Sequence, residues 1–113
     1  MIHVYLDDYR PCPRGFVLAS TVEECKLLVD SEEIDVLSLD YDLGWGQPAG
    51  IEAVRHIVAA NRFPRRIYLH TSSPAGRQQM YALLMAHAPA DVQLYNGPMP
   101  DTLLRDLAEA DQG

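Results

Sequence analysis

After its first methionine the chain reads Ile2-His3-Val4-Tyr5-Leu6-Asp7-Asp8, and this stretch decides the fold. Residues 2–6 form a short apolar run that ends abruptly in two aspartates, a pattern typical of a strand buried inside a sheet. Residues 35–40, Asp-Val-Leu-Ser-Leu-Asp, show the same pattern, with an apolar run that ends in Asp40. Two buried strands that both stop at acidic residues indicate a sheet with one acidic edge.

Strands and helices alternate along the rest of the chain. Besides the first strand, four are predicted, at residues 16–19, 35–39, 66–71 and 92–95. Helices are predicted to begin at the Thr21–Glu24 capping box, after Gly50, at Ser73–Pro74 and near Pro100. This alternation predicts an α/β fold, a doubly wound parallel sheet of five strands in the expected order 2-1-3-4-5.

The stretch between the first two strands is irregular. Residues 9–15 contain Pro11, Pro13 and Gly15, which exclude a regular helix. A helical crossover between parallel strands usually needs more residues than this stretch offers. We therefore expect a Pro-rich loop in place of the first helix, and the direction of the second strand, parallel or antiparallel, stays open.

Length and composition narrow the class of protein. The chain of 113 residues fits one domain, residues 1–113, and its formal net charge is −7. An acidic chain is not expected to bind duplex DNA through bulk electrostatics. The sequence has neither a run of about eighteen apolar residues nor the pattern of a signal peptide, so we expect no membrane span and a cytoplasmic location. Two cysteines are too few for a disulfide framework or a structural zinc site.

The acidic residues are expected to meet in one crevice. In a sheet of order 2-1-3-4-5, ligands bind beyond the carboxyl ends of strands one and three, where Asp7, Asp8 and Asp40 stand. Crowded carboxylates stay ionised only if a cation compensates them or one of them takes up a proton. Oxygen ligands of this kind suit Mg²⁺ or Mn²⁺. The alternative is that these aspartates, with Asp42 close by, merely end strands and form turns.

The predicted fourth strand brings further polar groups to the same edge. It ends in His70-Thr71-Ser72, and a helix N-terminus follows, which is a good place for a phosphate. The alternative for the hydroxyls is helix capping, which we expect of Ser72 or Ser73. His70 is either a packed core residue or a catalytic or ligand-binding group.

Arginine and tryptophan residues complete the set of candidates. Arg10, beside the first acidic pair, and Arg77, in the first turn of a helix, are candidates to clamp a phosphate. A salt bridge to the aspartates is an equally good interpretation of Arg10. Trp45, in the loop after Asp42, either covers the crevice as a hydrophobic lid or stacks on a base.

The strand ends resemble those of the response-regulator receiver domain, a flavodoxin-like fold, over nearly the whole chain. The matching positions are Asp7-Asp8 after strand one, Asp40 after strand three and Thr71-Ser72 after strand four. The resemblance implies that the acidic pair binds Mg²⁺ and that Asp40 accepts a phosphoryl group. Two features depart from it, since the first helix is absent and the lysine expected after strand five is replaced by Asn96-Gly97-Pro98.

A narrower group, the cyclic-phosphate processing receiver-like domains, is similar at several spaced motifs. They are Leu6-Asp7-Asp8-x-Arg10-x-x-Pro13, Leu39-Asp40-x-Asp42-Leu43-Gly44, Gly50 and His70-x-Ser72-x-Pro74-x-Gly76-Arg77-x-x-Met80. Ser73 departs from the group, in which Asn is expected. The resemblance implies activity on cyclic phosphate ends of nucleotides or RNA.

Two interpretations follow. In the first, the protein is a hydrolase that uses Mg²⁺ or Mn²⁺ to open a cyclic phosphate. Its metal ligands are Asp7, Asp8 and Asp40; its catalytic residues are Asp40, Asp42, His70 and Ser72; its phosphate-binding residues are Arg10, Thr71 and Arg77. In this interpretation Asp40 is a metal ligand or a covalent nucleophile, and His70 moves a proton. In the second, the chain is a degenerate receiver that docks a protein partner.

Overall fold

The computed structural model describes residues 1–111 as five strands and four helices. The strands are β1 (Ile2–Leu6), β2 (Val17–Ala19), β3 (Ile34–Leu39), β4 (Arg66–Leu69) and β5 (Gln93–Tyr95). The helices are α1 (Val22–Ser31), α2 (Ile51–Ala60), α3 (Pro74–His87) and α4 (Asp101–Ala110). Within residues 1–111, no helix has the length and apolar character needed to cross a membrane.

The sheet has the predicted order β2-β1-β3-β4-β5, and every neighbouring pair is parallel. The predicted doubly wound fold is therefore confirmed, and the open question about β2 is answered, because it runs parallel to β1. Residues 7–16 connect β1 to β2 without a helix, as the two prolines required. β4 ends at Leu69, two residues earlier than predicted, so His70 lies just beyond the strand.

The two faces of the sheet are covered unequally. Helices α1, α2 and α3 pack together on one face, over the alternate strand residues Val4, Leu6, Leu37 and Leu39. The other face carries Tyr5, Val36 and Tyr68 and is covered by α4 and the Pro-rich loop. Because one helix is missing there, the leucines of α4 are only half-buried. The candidate site lies at the edge of this thinner face.

The starts of α1 and α3 follow the capping rules. Thr21 accepts a hydrogen bond from the Glu24 backbone N–H, and the Glu24 carboxylate accepts one from the backbone N–H of Ser20. At α3 the Ser73 hydroxyl accepts from the Gly76 N–H, and proline occupies the first turn. Of the two serines predicted as possible caps, Ser73 caps the helix, so its side chain is engaged in holding α3.

Two glycines let α2 and α3 approach the end of β3 closely. A Cβ atom at Gly50 would overlap the carbonyl oxygen of Asp40, and one at Gly76 would overlap the ring of Tyr41. Only glycine permits such contact between backbone and neighbouring atoms. Both helices are thereby fixed against the residues that follow β3, which holds the Asp40 backbone in place.

Candidate functional site

The register of three strands brings Asp7, Asp40 and His70 into one row. Leu6 of β1 is opposite Leu39 of β3, which is opposite Leu69 of β4, and each of the three site residues follows one of these leucines. The row continues past the strands, since the Asp40 N–H donates to the Leu6 carbonyl and the His70 N–H to the Leu39 carbonyl, both at 3.0 Å. The two chain segments converge at one edge of the sheet, as predicted, and the segment after β4 joins them.

Asp7 is the best-satisfied carboxylate of the site. Its Oδ1 accepts from the backbone N–H groups of Tyr9 and Arg10 at 2.8 and 3.0 Å. Its Oδ2 accepts from Arg10 Nη1 at 2.9 Å and from His70 Nε2 at 2.8 Å. Burial alone would raise the pKa of Asp7, but these four hydrogen bonds outweigh it and lower the pKa to about 2. Asp7 is therefore ionised, although only 1% of its surface is exposed.

Arg10 joins the two buried carboxylates. Its Nη1 lies 2.9 Å from Asp7 Oδ2 and 3.2 Å from Asp40 Oδ2. The hydrogen bond to Asp7 raises the pKa of Arg10 above its ordinary value. The salt-bridge interpretation of Arg10 is thus what the structure shows, yet 36% of its side chain stays exposed. One guanidinium faces two carboxylates, so the cluster keeps an excess of negative charge.

His70 is held from three sides. Its Nε2 contacts Asp7, its Nδ1 lies 2.6 Å from the Ser38 hydroxyl, and its ring stacks on Tyr5 with centroids 4.4 Å apart. Since β3 separates β1 from β4, the ring must reach across β3 to meet Tyr5. It does so above Ser38, which is opposite Tyr5 in the register and has a small side chain.

The hydrogen bonds also assign the protons of His70. Burial lowers the pKa of His70, against the raising effect of Asp7, so the ring is neutral at pH 7. The ionised Asp7 accepts only, so Nε2 carries the proton and Nδ1 accepts from the Ser38 hydroxyl. Both ring nitrogens are thus engaged, and Nε2 can bind an ion only if His70 gives up its bond to Asp7 and the ring proton moves to Nδ1, which then donates to Ser38.

The donor set fits a divalent metal ion. One ligand atom each from Asp7, Asp40 and His70 lies within 4.8 Å of the others, so small side-chain adjustments would bring all three to the usual metal–ligand distance of about 2.1 Å from one ion. Two carboxylates with one imidazole suit Mn²⁺, and less well Mg²⁺, which prefers oxygen alone. Asp7 already accepts four hydrogen bonds, the full capacity of a carboxylate, so a bound ion would displace Arg10 or His70 from it.

Asp8 and Asp42 lie outside this cluster. Both are exposed, whereas their neighbours Asp7 and Asp40 are buried. The Asp8 carboxylate approaches the next loop, since a Cβ atom at Gly44 would be 3.0 Å from Asp8 Oδ2. Asp8 as a metal ligand and Asp42 as a catalytic residue stay predictions.

The residues after His70 are placed in different environments. Thr71 is buried and its hydroxyl accepts from the Ser73 N–H, so it shapes the turn into α3. Ser72 is exposed. Arg77 is half-buried in the first turn of α3. The roles predicted for Ser72 in catalysis and for Thr71 and Arg77 in phosphate binding stay predictions.

Two residues that support the site were missed in the sequence. Tyr5 and Ser38 stand two residues before Asp7 and Asp40, so strand alternation places each on the same face as its aspartate. A serine inside an apolar strand was a signal for Ser38. Its contact with His70 depends on the register between strands, which the sequence does not display.

A comparison with protein families decides the membership of the chain. The model described as the cyclic-phosphate processing receiver domain matches residues 2–86. The chain belongs to this family. The match spans β1 to nearly the end of α3 and includes the whole Asp7–Arg10–Asp40–His70 cluster, so the resemblance seen in the motifs is confirmed. No curated protein matches the chain. Membership in the receiver family, whose domains bind divalent metals, agrees with the candidate metal site.

Proposed function

We propose that this protein hydrolyses the cyclic phosphate of a nucleotide or of an RNA end, with a divalent cation bound by Asp7, Asp40 and His70. The observation that carries the proposal is the row of these three residues, whose ligand atoms lie within 4.8 Å of one another. The family, which is one of cyclic-phosphate processing, supports a substrate of this class.

The reaction adds one water molecule to the ring. The water oxygen forms a bond to phosphorus, the bond from phosphorus to one ribose oxygen breaks, and a proton ends on the released hydroxyl. The product is an acyclic phosphomonoester. A bound divalent ion would polarise a phosphoryl oxygen and supply positive charge as the phosphate becomes more negative.

Arg10 is the residue best placed to hold the phosphate. It is the cation already in contact with both Asp7 and Asp40, and its exposed part is free to donate to a phosphoryl oxygen. Arg77 and the hydroxyls of Thr71 and Ser72 are further donors near the start of α3. In this proposal the proton is handled by the exposed Asp42, because His70 binds the cation through one ring nitrogen and is bonded to the Ser38 hydroxyl through the other.

Hydrolysis is tested with 2′,3′-cyclic nucleotides of all four bases and with RNA that ends in a cyclic phosphate. We expect the protein with Mn²⁺ or Mg²⁺ to give monoesters, detected by ³¹P NMR, and a chelator to stop the reaction. Asp40→Asn is expected to abolish turnover, whereas Asp106→Asn, an exposed change on α4, is expected to leave it unchanged. Absence of turnover by the metal-loaded protein on every substrate would contradict the proposal.

A second candidate function is a phosphate-accepting signalling module with a protein partner. It is favoured by the contact of 3.2 Å between Arg10 Nη1 and Asp40 Oδ2, because this cation lies where it would neutralise a phosphoryl group on Asp40. The chain's only lysine, Lys26, is in α1 and pairs with Glu23. Acetyl phosphate would add a phosphoryl group to wild-type protein and not to Asp40→Asn. A protein that neither gains this mass nor hydrolyses cyclic phosphates would contradict both candidates.

A further inference from the structure

Two aromatic side chains beside the site are far more exposed than the other large hydrophobic residues described. Trp45 is fully exposed at 101% and Tyr9 is 89% exposed, whereas Leu27, which follows them, is 69% exposed. Single exposed hydrophobic residues are common on protein surfaces. Here, however, the two most exposed ones both lie on loops that leave the acidic edge, one after β1 and one after β3.

Both aromatic residues stand on fixed backbone. The Tyr9 N–H donates to Asp7 Oδ1 at 2.8 Å, so its loop is tied to the buried carboxylate. Trp45 is at a corner of a turn in which the Gln47 N–H donates to the Gly44 carbonyl at 3.2 Å. Gly46, with φ of +78°, provides the left-handed residue that a type II turn requires at its next position. The two rings are therefore presented to solvent by ordered segments.

The two loops also touch each other. A Cβ atom at Gly44 would be 3.0 Å from Asp8 Oδ2, and Tyr9 and Trp45 are the residues that follow this contacting pair. The two aromatic residues thus follow neighbouring points of the backbone at the acidic edge of the sheet. Asp7, two residues before Tyr9, and Asp40, five before Trp45, belong to the buried row of the site.

We propose that Trp45 and Tyr9 form a stacking site for the base of a nucleotide whose phosphate lies at the Arg10 end of the cluster. This inference rests on the proposed function and assigns its substrate to nucleotides rather than to base-free sugar phosphates. Aromatic rings accept any base through its π face, which gives affinity with little sequence preference. A protein partner is less well matched, because the chain neighbours of the two residues are glycines and charged residues and not the apolar residues of a typical interface core.

The single tryptophan provides a direct readout of binding. Trp45 is the only tryptophan of the chain, so stacking of a base on it should quench the intrinsic fluorescence. The probes are nucleoside 3′-monophosphates, and ribose 5-phosphate is the base-free comparison. Each is titrated with Mn²⁺ present, and the fluorescence is corrected for light absorbed by the nucleotide. We expect saturable quenching by the nucleotides and none by ribose 5-phosphate.

Variants separate stacking from the rest of the site. By calorimetry, Trp45→Leu should weaken nucleotide binding about 5- to 100-fold and Tyr9→Leu by a smaller factor, with ribose 5-phosphate binding unchanged. Trp45→Phe should restore most of the affinity, and Leu27→Ala on α1 is the control for loss of an exposed apolar side chain. Equal affinity for nucleotide and ribose phosphate, or no effect of Trp45→Leu, would overturn the inference.

The outcomes also distinguish this inference from the proposed hydrolysis. Quenching by nucleotides without any turnover would support the base site and contradict the proposed hydrolysis. Turnover of cyclic nucleotides with an unchanged KM in Trp45→Leu would retain the hydrolase and remove the base site. Capture of a protein by wild type, with no nucleotide binding, would assign the aromatic pair to an interface and refute the stacking site.

Discussion

The two ends of the sheet each hold an aspartate, an arginine and a histidine, but in different balance. At the amino end, Arg66 donates two hydrogen bonds to the Asp35 carboxylate, through Nε at 3.2 Å and Nη2 at 3.0 Å. His3 Nδ1 accepts a hydrogen bond from the Val36 N–H. One carboxylate meets one guanidinium, and the charges cancel. This pair ties β3 to β4 and shows what an ordinary structural ion pair looks like in this chain.

At the carboxyl end, a single arginine is shared between two buried carboxylates. Arg10 Nη1 contacts both Asp7 and Asp40, while the neutral His70 adds a hydrogen bond and no charge. The surplus of one negative charge is costly in a buried place unless a cation or a proton compensates it. The comparison teaches that the residue types alone do not distinguish the candidate site from a structural ion pair. The uncompensated negative charge at the carboxyl end does.

Replacing each arginine by alanine should give the largest difference in unfolding free energy between the two ends of the sheet. Without divalent ions, Arg10→Ala should lose about 3 kcal/mol of unfolding free energy, because two carboxylates stay buried without a counter-charge. Mn²⁺ should restore much of that loss. Arg66→Ala should cost about 1 kcal/mol, as expected of a partly exposed pair, with no restoration by Mn²⁺. Denaturant unfolding measures both. Equal losses in the two variants, or no recovery of Arg10→Ala with Mn²⁺, would contradict the difference drawn between the ends.

Protonation of Asp7 should destabilise the folded protein in a defined pH range. Its folded pKa of about 2 is below the ordinary 3.8, so the unfolded chain binds the proton more readily. The stabilisation is complete above pH 5 and is lost as the pH falls through 2, by about 2 kcal/mol. Asp7→Asn should remove this part of the pH dependence, and the exposed neighbour Asp8→Asn should keep it. Parallel acid-unfolding curves for the wild type and Asp7→Asn would refute the assignment.

Loss of the Ser38 hydroxyl should have a smaller effect on stability than loss of Arg10. Ser38→Ala leaves His70 Nδ1 without its donor and should cost about 1 to 2 kcal/mol of unfolding free energy. Because a merely structural serine would also give this loss, the decisive readout is the ¹⁵N NMR spectrum of the His70 ring. We expect the wild type to show the Nε2–H form, and Ser38→Ala to show a mixture of forms, restored by Ser38→Thr. An unchanged spectrum would show that Asp7 alone fixes the proton.

Most of the fold was readable from the sequence, because buried strands, caps and prolines act locally. The capping residues Thr21 and Ser73 and the apolar run of β1 each identify their element without reference to the rest of the chain. The direction of β2 was not readable, since it depends on how residues 7–16 cross the end of the sheet. The path of these residues is determined by how the loop packs on the sheet, and no local sequence pattern reports it.

The site was only partly predictable for a related reason. Asp7 and Asp40 follow from the ends of their strands, but the sequence did not separate Asp7, with four donors, from the exposed Asp8 beside it. It also left open whether Arg10 faces a phosphate or the aspartates. The contact of His70 with Ser38 and Tyr5 arises from the register of three strands, which no local pattern encodes.

The measurement closest to the central claim is the anomalous diffraction of a crystal soaked in Mn²⁺. The expected map has one strong peak within bonding distance of Asp7, Asp40 and His70, absent from Asp40→Asn crystals, and none at the Asp35–Arg66 pair. A map with no peak in the row, or with the same peak in Asp40→Asn, would show that the uncompensated charge at this end of the sheet does not hold a metal ion.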